Sequence, residues 1–205
     1  MDEFAADLLV RLGRADEALA AATRAQDIVE NSLLMKREHV THLPQVADVD
    51  HALGIAKLAA EKFDQAVADL QLEVEARIRL DDYGAALASD RYELALALAT
   101  LAEAQLALGK PSDAESTARL ACDRGRKLVA DAPEAKKYAV MLARAQVVLS
   151  EALDQNRKRD EASTVRAAAL ARLEPITRAF PTYLDAQQVF APMQAKSASS
   201  ETRAR

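Results

Sequence analysis

Residues 106–114 read LALGKPSDA, and they mark a helix end, a tight turn and a new helix start. Leu106 and Leu108 close an apolar-periodic run. Gly109 supplies the permissive backbone that a helix C-terminus prefers. Pro111 suits a first helical turn, and Ser112 and Asp113 offer capping oxygens and negative charge to the helix dipole. Ala114 is small where two helices must pass closely. The same punctuation recurs as RLGRADEA ending at Ala18, AAEKFDQA ending at Ala66 and NRKRDEA ending at Ala162. These alanines are spaced by 48 residues throughout, with turns centred near Gly13, Glu61, Gly109 and Arg157. Such spacing predicts an array of helix pairs.

Composition agrees. The 205-residue chain has only 5 Gly, 6 Pro and no Trp, and its glycines and prolines fall mostly between periodic segments. The class is therefore all-α, in about four antiparallel helix pairs. Few aromatics means that close contact through alanine must replace large aromatic knobs. The N-terminus MDEFAADLLV has no basic segment followed by an apolar one, so no signal peptide is read. No apolar run long enough to span a membrane occurs. Cys122 has no second cysteine to pair with, lies on an apolar stripe and reads as a small buried hydrophobe. The expected setting is the cytoplasm.

The pairs are expected at roughly 2–12 with a helix from Asp16 into LLMKREHV, 46–60 with 63–80, 86–108 with 112–130, and 133–153 with 159–173. The first helix is short, as though the array began partway through a repeat. The repeat domain is read as 1–180, followed by a short capping helix within 181–193 and a disordered tail over 194–205. Columns recur at the same offset: Leu53, Leu101, Leu149; Ala56, Ala104, Ala152; Ala47, Ala95, Ala143; and the small Gly54, Ala102, Ser150. Asp16, Asp64, Ser112 and Asp160 stand at the start of each second helix. Leucines would fill the interior while the small columns admit neighbouring helices.

A leucine, a small residue, then eleven residues to an alanine behind an acidic helix start resembles the tetratricopeptide repeat. Leu53–Gly54…Ala66 carries the pattern best, and Leu101–Ala102…Ala114 nearly as well. The resemblance implies a superhelical α-solenoid. The family period is about 34 residues, so this is a long variety, with about 21 Å of additional helix per repeat. The family's large aromatics are replaced by Leu98, Gln105 and Ala118 in the third repeat. Such long arrays resemble those of bacterial multidomain signalling proteins, often beside serine/threonine kinase domains.

The resemblance implies a non-catalytic scaffold that binds a peptide or helix of a partner protein. The alternative it implies is a regulatory arm of a larger bacterial signalling enzyme. The first helix of each pair would line a concave groove through Asp48, His51 and Ile55, then Leu96, Ala99, Glu103 and Leu106, then Arg144, Val147, Glu151 and Asp154. This lining lacks the Lys/Asn set with which some relatives clamp a C-terminal carboxylate.

Chemistry is sparse. His39, His42 and His51 with Glu38, Asp48 and Asp50 are the one conceivable metal constellation, but the His-x-x-His pair straddles a turn, and no metal or other cofactor is expected. The glycines are isolated, so no phosphate-binding loop forms, and no catalytic triad is legible. An enzyme is not expected. Residues 1–109 carry 10 Lys/Arg against 20 Asp/Glu, and residues 110–205 carry 17 against 12. The basic runs Arg124–Lys127, Lys136–Lys137 and Arg157–Arg159 have only Tyr138 as a nearby aromatic, which disfavours nucleic acid. The charge split predicts weak, salt-sensitive association between copies.

Overall fold

Long stretches poor in glycine and proline, with apolar residues every three or four positions, become the helices. The computed structural model describes residues 2–31, 39–84 and 86–203. Among the described residues the elements are α1 (Asp2–Arg11), α2 (Ala15–Asn31), α3 (Leu43–Ala59), α4 (Phe63–Asp82), α5 (Ala88–Ala107), α6 (Pro111–Asp131), α7 (Lys136–Gln155), α8 (Arg159–Ala179) and α9 (Leu184–Arg203). A 3-10 turn, Val40–His42, precedes α3. No strand occurs among them, so the protein is all-α, and within each of two units the helices pack on their sequential neighbours. The chain divides into two compact units, Met1–Lys110 and Pro111–Arg205. Their boundary falls inside LALGKPSDA.

In the first unit α1, α2 and α3 pack mutually, α4 lies against α3, and α5 lies against α4 and α3. One core cluster joins Ala6 of α1, Ala18, Ala21, Ala22 and Ala25 of α2, and Val49, Ala52, Leu53 and Ala56 of α3. Side chains this small bring the helix axes close, and many short contacts replace a few large ones. A second cluster, Leu43, Ala47, Ala76 and Leu80, joins α3 to α4. In the second unit α7 packs against α6, α8 and α9. There Val140, Ala143, Ala169, Leu173, Ala186, Phe190 and Met193 form the core.

The four turns share one geometry. Gly13, Glu61, Gly109 and Arg157 have φ of 71°, 58°, 78° and 64°, the left-handed region. At Gly109 the turn residue's N–H donates to Leu106 O at 3.0 Å and the next N–H, of Lys110, to Gln105 O at 2.8 Å. Glu61 and Lys62 repeat this onto Leu58 and Lys57, Arg157 and Lys158 onto Asp154 and Leu153, and Gly13 and Arg14 onto Val10 and Leu9. This paired closure satisfies carbonyls that a helix end leaves without partners. Ala18, Ala66, Ala114 and Ala162, five residues past each turn, are all fully buried. The acidic residues that follow the turns lie in the first helical turn, as with Asp64 and Asp160, where they meet the helix dipole. The N-cap positions themselves, Lys62 and Lys158, make no side-chain cap.

Two boundaries differ from the sequence reading. Helix α8 continues through Pro175 to Ala179. Thr177 Oγ1 donates to Leu173 O and Glu174 O, both at 3.1 Å, beside the site where proline removes a backbone donor. Helix α9 runs to Arg203, across most of the stretch read as a tail. Its alanines, glutamines and charged residues favour helix by propensity, a signal weaker than apolar periodicity. The extension of α2 into LLMKREHV lies largely outside the described residues.

Candidate functional site

Two polar clusters stand out, one in each unit. In the first, α3 and α4 pack side by side and bring Asp48 and His51 against Glu73 and Arg77. His51 Nδ1 lies 2.9 Å from Glu73 Oε2. Arg77 Nε donates to Glu73 Oε1 at 2.9 Å, and Arg77 Nη2 donates to Asp48 Oδ1 at 3.0 Å. Glu73 and Arg77 are buried, at 1% and 5% exposure, while Asp48 is half exposed and His51 partly so. Glu93, near the start of α5, feels the charges of Arg77, His51, Asp48 and Glu73.

Three carboxylates thus surround one guanidinium and one imidazole. Burial pushes the Asp48 carboxyl above its ordinary value, against the pull of Arg77. Burial does the same to Glu93. For Arg77 burial acts downward, but Glu73, Asp48 and Glu93 together hold the guanidinium above its usual value. The cluster is therefore richer in negative charge than its own arginine neutralises.

In the second unit Glu115 of α6 is the hub. Lys158 Nζ donates to both its oxygens at 2.8 and 2.9 Å, Asn156 Nδ2 at 2.7 Å, and Arg119 Nη2 at 2.9 Å. Arg119 also reaches Glu161 at 2.6 Å. The hydrogen bond from Lys158 leads the causes that hold the Glu115 carboxyl down at about 2, while desolvation works the other way. Asn156 and Lys158 flank the left-handed residue Arg157, so this cluster ties the α7–α8 turn to α6. Its charges pair with one another within the unit.

The expected groove residues separate accordingly. Asp48 and His51 join the first cluster, whereas Ile55 and Ala99 are buried and offer little surface. Leu96, Glu103 and Leu106 are half-buried on α5. Arg144, Val147 and Glu151 are half-buried on α7, with Val147 packed on the core of the second unit. Asp154 pairs with Arg166. The sequence reading passed over Glu73, Arg77 and Glu93. Glu73 and Arg77 carry a legible signal: they stand four apart on the face of α4 that also holds Ala66, Val67, Leu70, Val74 and Leu80, a charged pair inside an apolar stripe.

His39 and His42 stack edge to face at 5.7 Å, apart from the His51 pairing, and Glu38 lies outside the described residues. Among the described residues no three His, Cys, Asp or Glu side chains converge as a metal requires. Cys122 is buried, and burial pushes its thiol up to about 11, so little thiolate forms at neutral pH. Several basic residues are engaged locally: Arg126 with Asp123, Lys158 with Glu115, and Lys136 over the Phe180 ring at 4.0 Å. No described helix is long and apolar enough to cross a membrane. No protein-family model, curated protein or solved structure matches the chain.

Proposed function

We propose that this protein is a non-catalytic interaction module that takes a peptide or helix of a partner protein, and that the first unit's polar cluster receives a basic side chain of that partner. The observation that carries the reading is the unbalanced charge around Arg77. Asp48 and Glu93 are held partly desolvated beside a buried Glu73–Arg77 pair, a costly arrangement in the free protein. A lysine or arginine of a partner would relieve that cost and gain charge-assisted hydrogen bonds. The array is of the tetratricopeptide-like kind with a 48-residue period. Supporting this are the left-handed turns at Gly13, Glu61, Gly109 and Arg157 and the buried alanine after each. A cytoplasmic setting suits the reduced, buried Cys122.

A peptide array graded in Lys/Arg content, read by fluorescence polarisation, tests the function. Basic peptides should bind, and binding should weaken at least several-fold in Asp48→Asn/Glu93→Gln and as salt rises from about 0.05 to 0.5 M. Binding that ignores peptide charge, or that survives the double substitution intact, overturns the reading.

A further inference from the structure

Glu73 is gripped from two sides. Its Oε1 accepts from Arg77 Nε, and its Oε2 lies 2.9 Å from His51 Nδ1. Glu73 is 1% exposed, but the His51 side chain is 25% exposed and so exchanges protons with water. Packing does not require an imidazole at this place. One 48-residue period on, His51, Glu73 and Arg77 are matched by Ala99, Ala121 and Gly125, and two periods on by Val147, Ala169 and Leu173. None of these carries a charge, yet their helices form, and Ala99, Ala121, Ala169 and Leu173 are fully buried. The first unit thus holds a titratable ring where the repeat elsewhere accepts alanine or valine.

The charge on that ring changes the balance of the site. Glu73 and Arg77 face it from α4, Asp48 stands one turn earlier on α3, and Glu93 acts on the same cluster from α5. The side of α3 turned toward α1 and α2 is apolar, with Val49, Ala52, Leu53 and Ala56. Before α3, His39 and His42 stack on each other. Asp50, next to His51 in the chain, is buried on another side of the helix, since adjacent helical residues do not share a face. With a neutral ring, the ionised carboxylates of Asp48, Glu73 and Glu93 outnumber the one positive charge of Arg77 by two. An imidazolium halves that excess.

We infer that His51 is a proton-operated gate on this site: its imidazolium and a partner's basic side chain compete for the same carboxylates, so binding tightens as pH rises through the titration of His51. This rests on the function proposed above and adds its regulation. A partner's lysine or arginine keeps its charge throughout, because it titrates above about 10. An ordinary imidazole titrates near about 6.5, so the repelling charge appears as pH falls below neutrality. By reciprocity, the bound cation must ease a proton off His51 to the same degree. Asp48 and Glu93, whose carboxyls burial raises, add a loss on acidification that does not depend on the ring.

Fluorescence polarisation with a labelled Lys/Arg-rich peptide at constant ionic strength tests the gate. Between about pH 7.5 and 5.5 the dissociation constant of the parent should rise at least about threefold. His51→Gln and His51→Ala cannot gain the charge and should lose most of that ratio; alanine is what the next repeat carries there. His39→Gln/His42→Gln should keep it. In the unsubstituted chain, NMR titration of the histidine rings should show the His51 midpoint falling by about 0.5 when the peptide saturates the site, with His39 and His42 unmoved. An unmoved His51 midpoint, or the same pH ratio in His51→Gln as in the parent, overturns the gate and leaves the peptide-binding reading intact. Basic peptides that bind at neither pH overturn both.

Discussion

Gly54 of α3 and Leu70 of α4 are fitted so closely that a β-carbon on Gly54 would lie 2.5 Å from Cγ and 2.6 Å from Cδ2 of Leu70. Glycine inside a helix costs about 1 kcal/mol against alanine, so the contact must return more than that. Leu70 is fully buried, and its Cγ, not only a terminal methyl, meets the added carbon. Gly54→Ala should therefore destabilise the protein by about 1–3 kcal/mol despite its better helix propensity. Urea unfolding measures it. In a double-mutant cycle with Leu70→Ala the penalty should shrink, because the clashing atoms are gone. A Gly54→Ala protein more stable than the parent would show that the two helices are not held at this distance.

The left-handed turns allow the opposite experiment. Glu61 and Arg157 hold φ of 58° and 64° without being glycine, and a side chain there costs about 1 kcal/mol or more. Glu61→Gly should stabilise by about 0.5–1 kcal/mol, after allowing for the greater freedom of glycine in the unfolded chain. Arg157→Gly should do the same. Gly109→Ala, at φ 78°, should destabilise by a similar amount. Thermal unfolding of the three variants tests the set, and gains at Gly109→Ala would contradict the turn geometry.

Acid should act through Glu115. Its carboxyl is depressed from the ordinary 4.5 to about 2, chiefly by Lys158. A depressed acid stabilises the folded state fully above its unfolded value and loses that contribution as pH falls toward its folded value. Glu115→Gln, which keeps the shape but not the charge, should cost about 1–2 kcal/mol at pH 7. The gap between the two proteins should close between about pH 4.5 and 2. Melting curves across that range decide it. A gap that stays constant would mean that the Lys158 contact does not depend on charge.

How far the sequence speaks depends on whether an interaction is local or periodic. The turn at Gly109 is legible because a glycine and a proline, Gly109 and Pro111, stand two positions apart there. The turns at Glu61 and Arg157 are legible only through their place relative to Gly109, since neither residue favours a left-handed backbone. Ala66, Ala114 and Ala162 are read as buried for the same reason, and they are. Pro175 misleads, because a proline inside a helix removes one donor without ending the helix when tertiary packing holds it. The site is harder. Asp48 and His51 could be placed on one face of α3 from spacing alone, but Glu73 and Arg77 come from another helix. Pairing them needs the relative rotation of α3 and α4, which no local pattern encodes. Lys158 reaches Glu115 across 43 residues for a similar reason.

Glu93 should hold stability back for binding. Burial raises the Glu93 carboxyl above its ordinary value, and Arg77 only partly offsets this. A raised acid contributes its stability below its unfolded value and loses it as pH climbs through the folded one, the reverse of Glu115. Glu93→Gln cannot ionise, so its melting temperature should exceed the parent's at pH 7–8, and the two should converge near pH 4. Arg77→Met should behave in the other direction, costing about 3–5 kcal/mol, because it strands Glu73 as a buried charge with its arginine partner gone. If Glu93→Gln is both more stable and weaker in binding basic peptides, the cost of holding Glu93 beside the cluster is a cost of recognition. A Glu93→Gln protein less stable at neutral pH would instead place Glu93 among the structural ion pairs, as Glu115 is in the second unit.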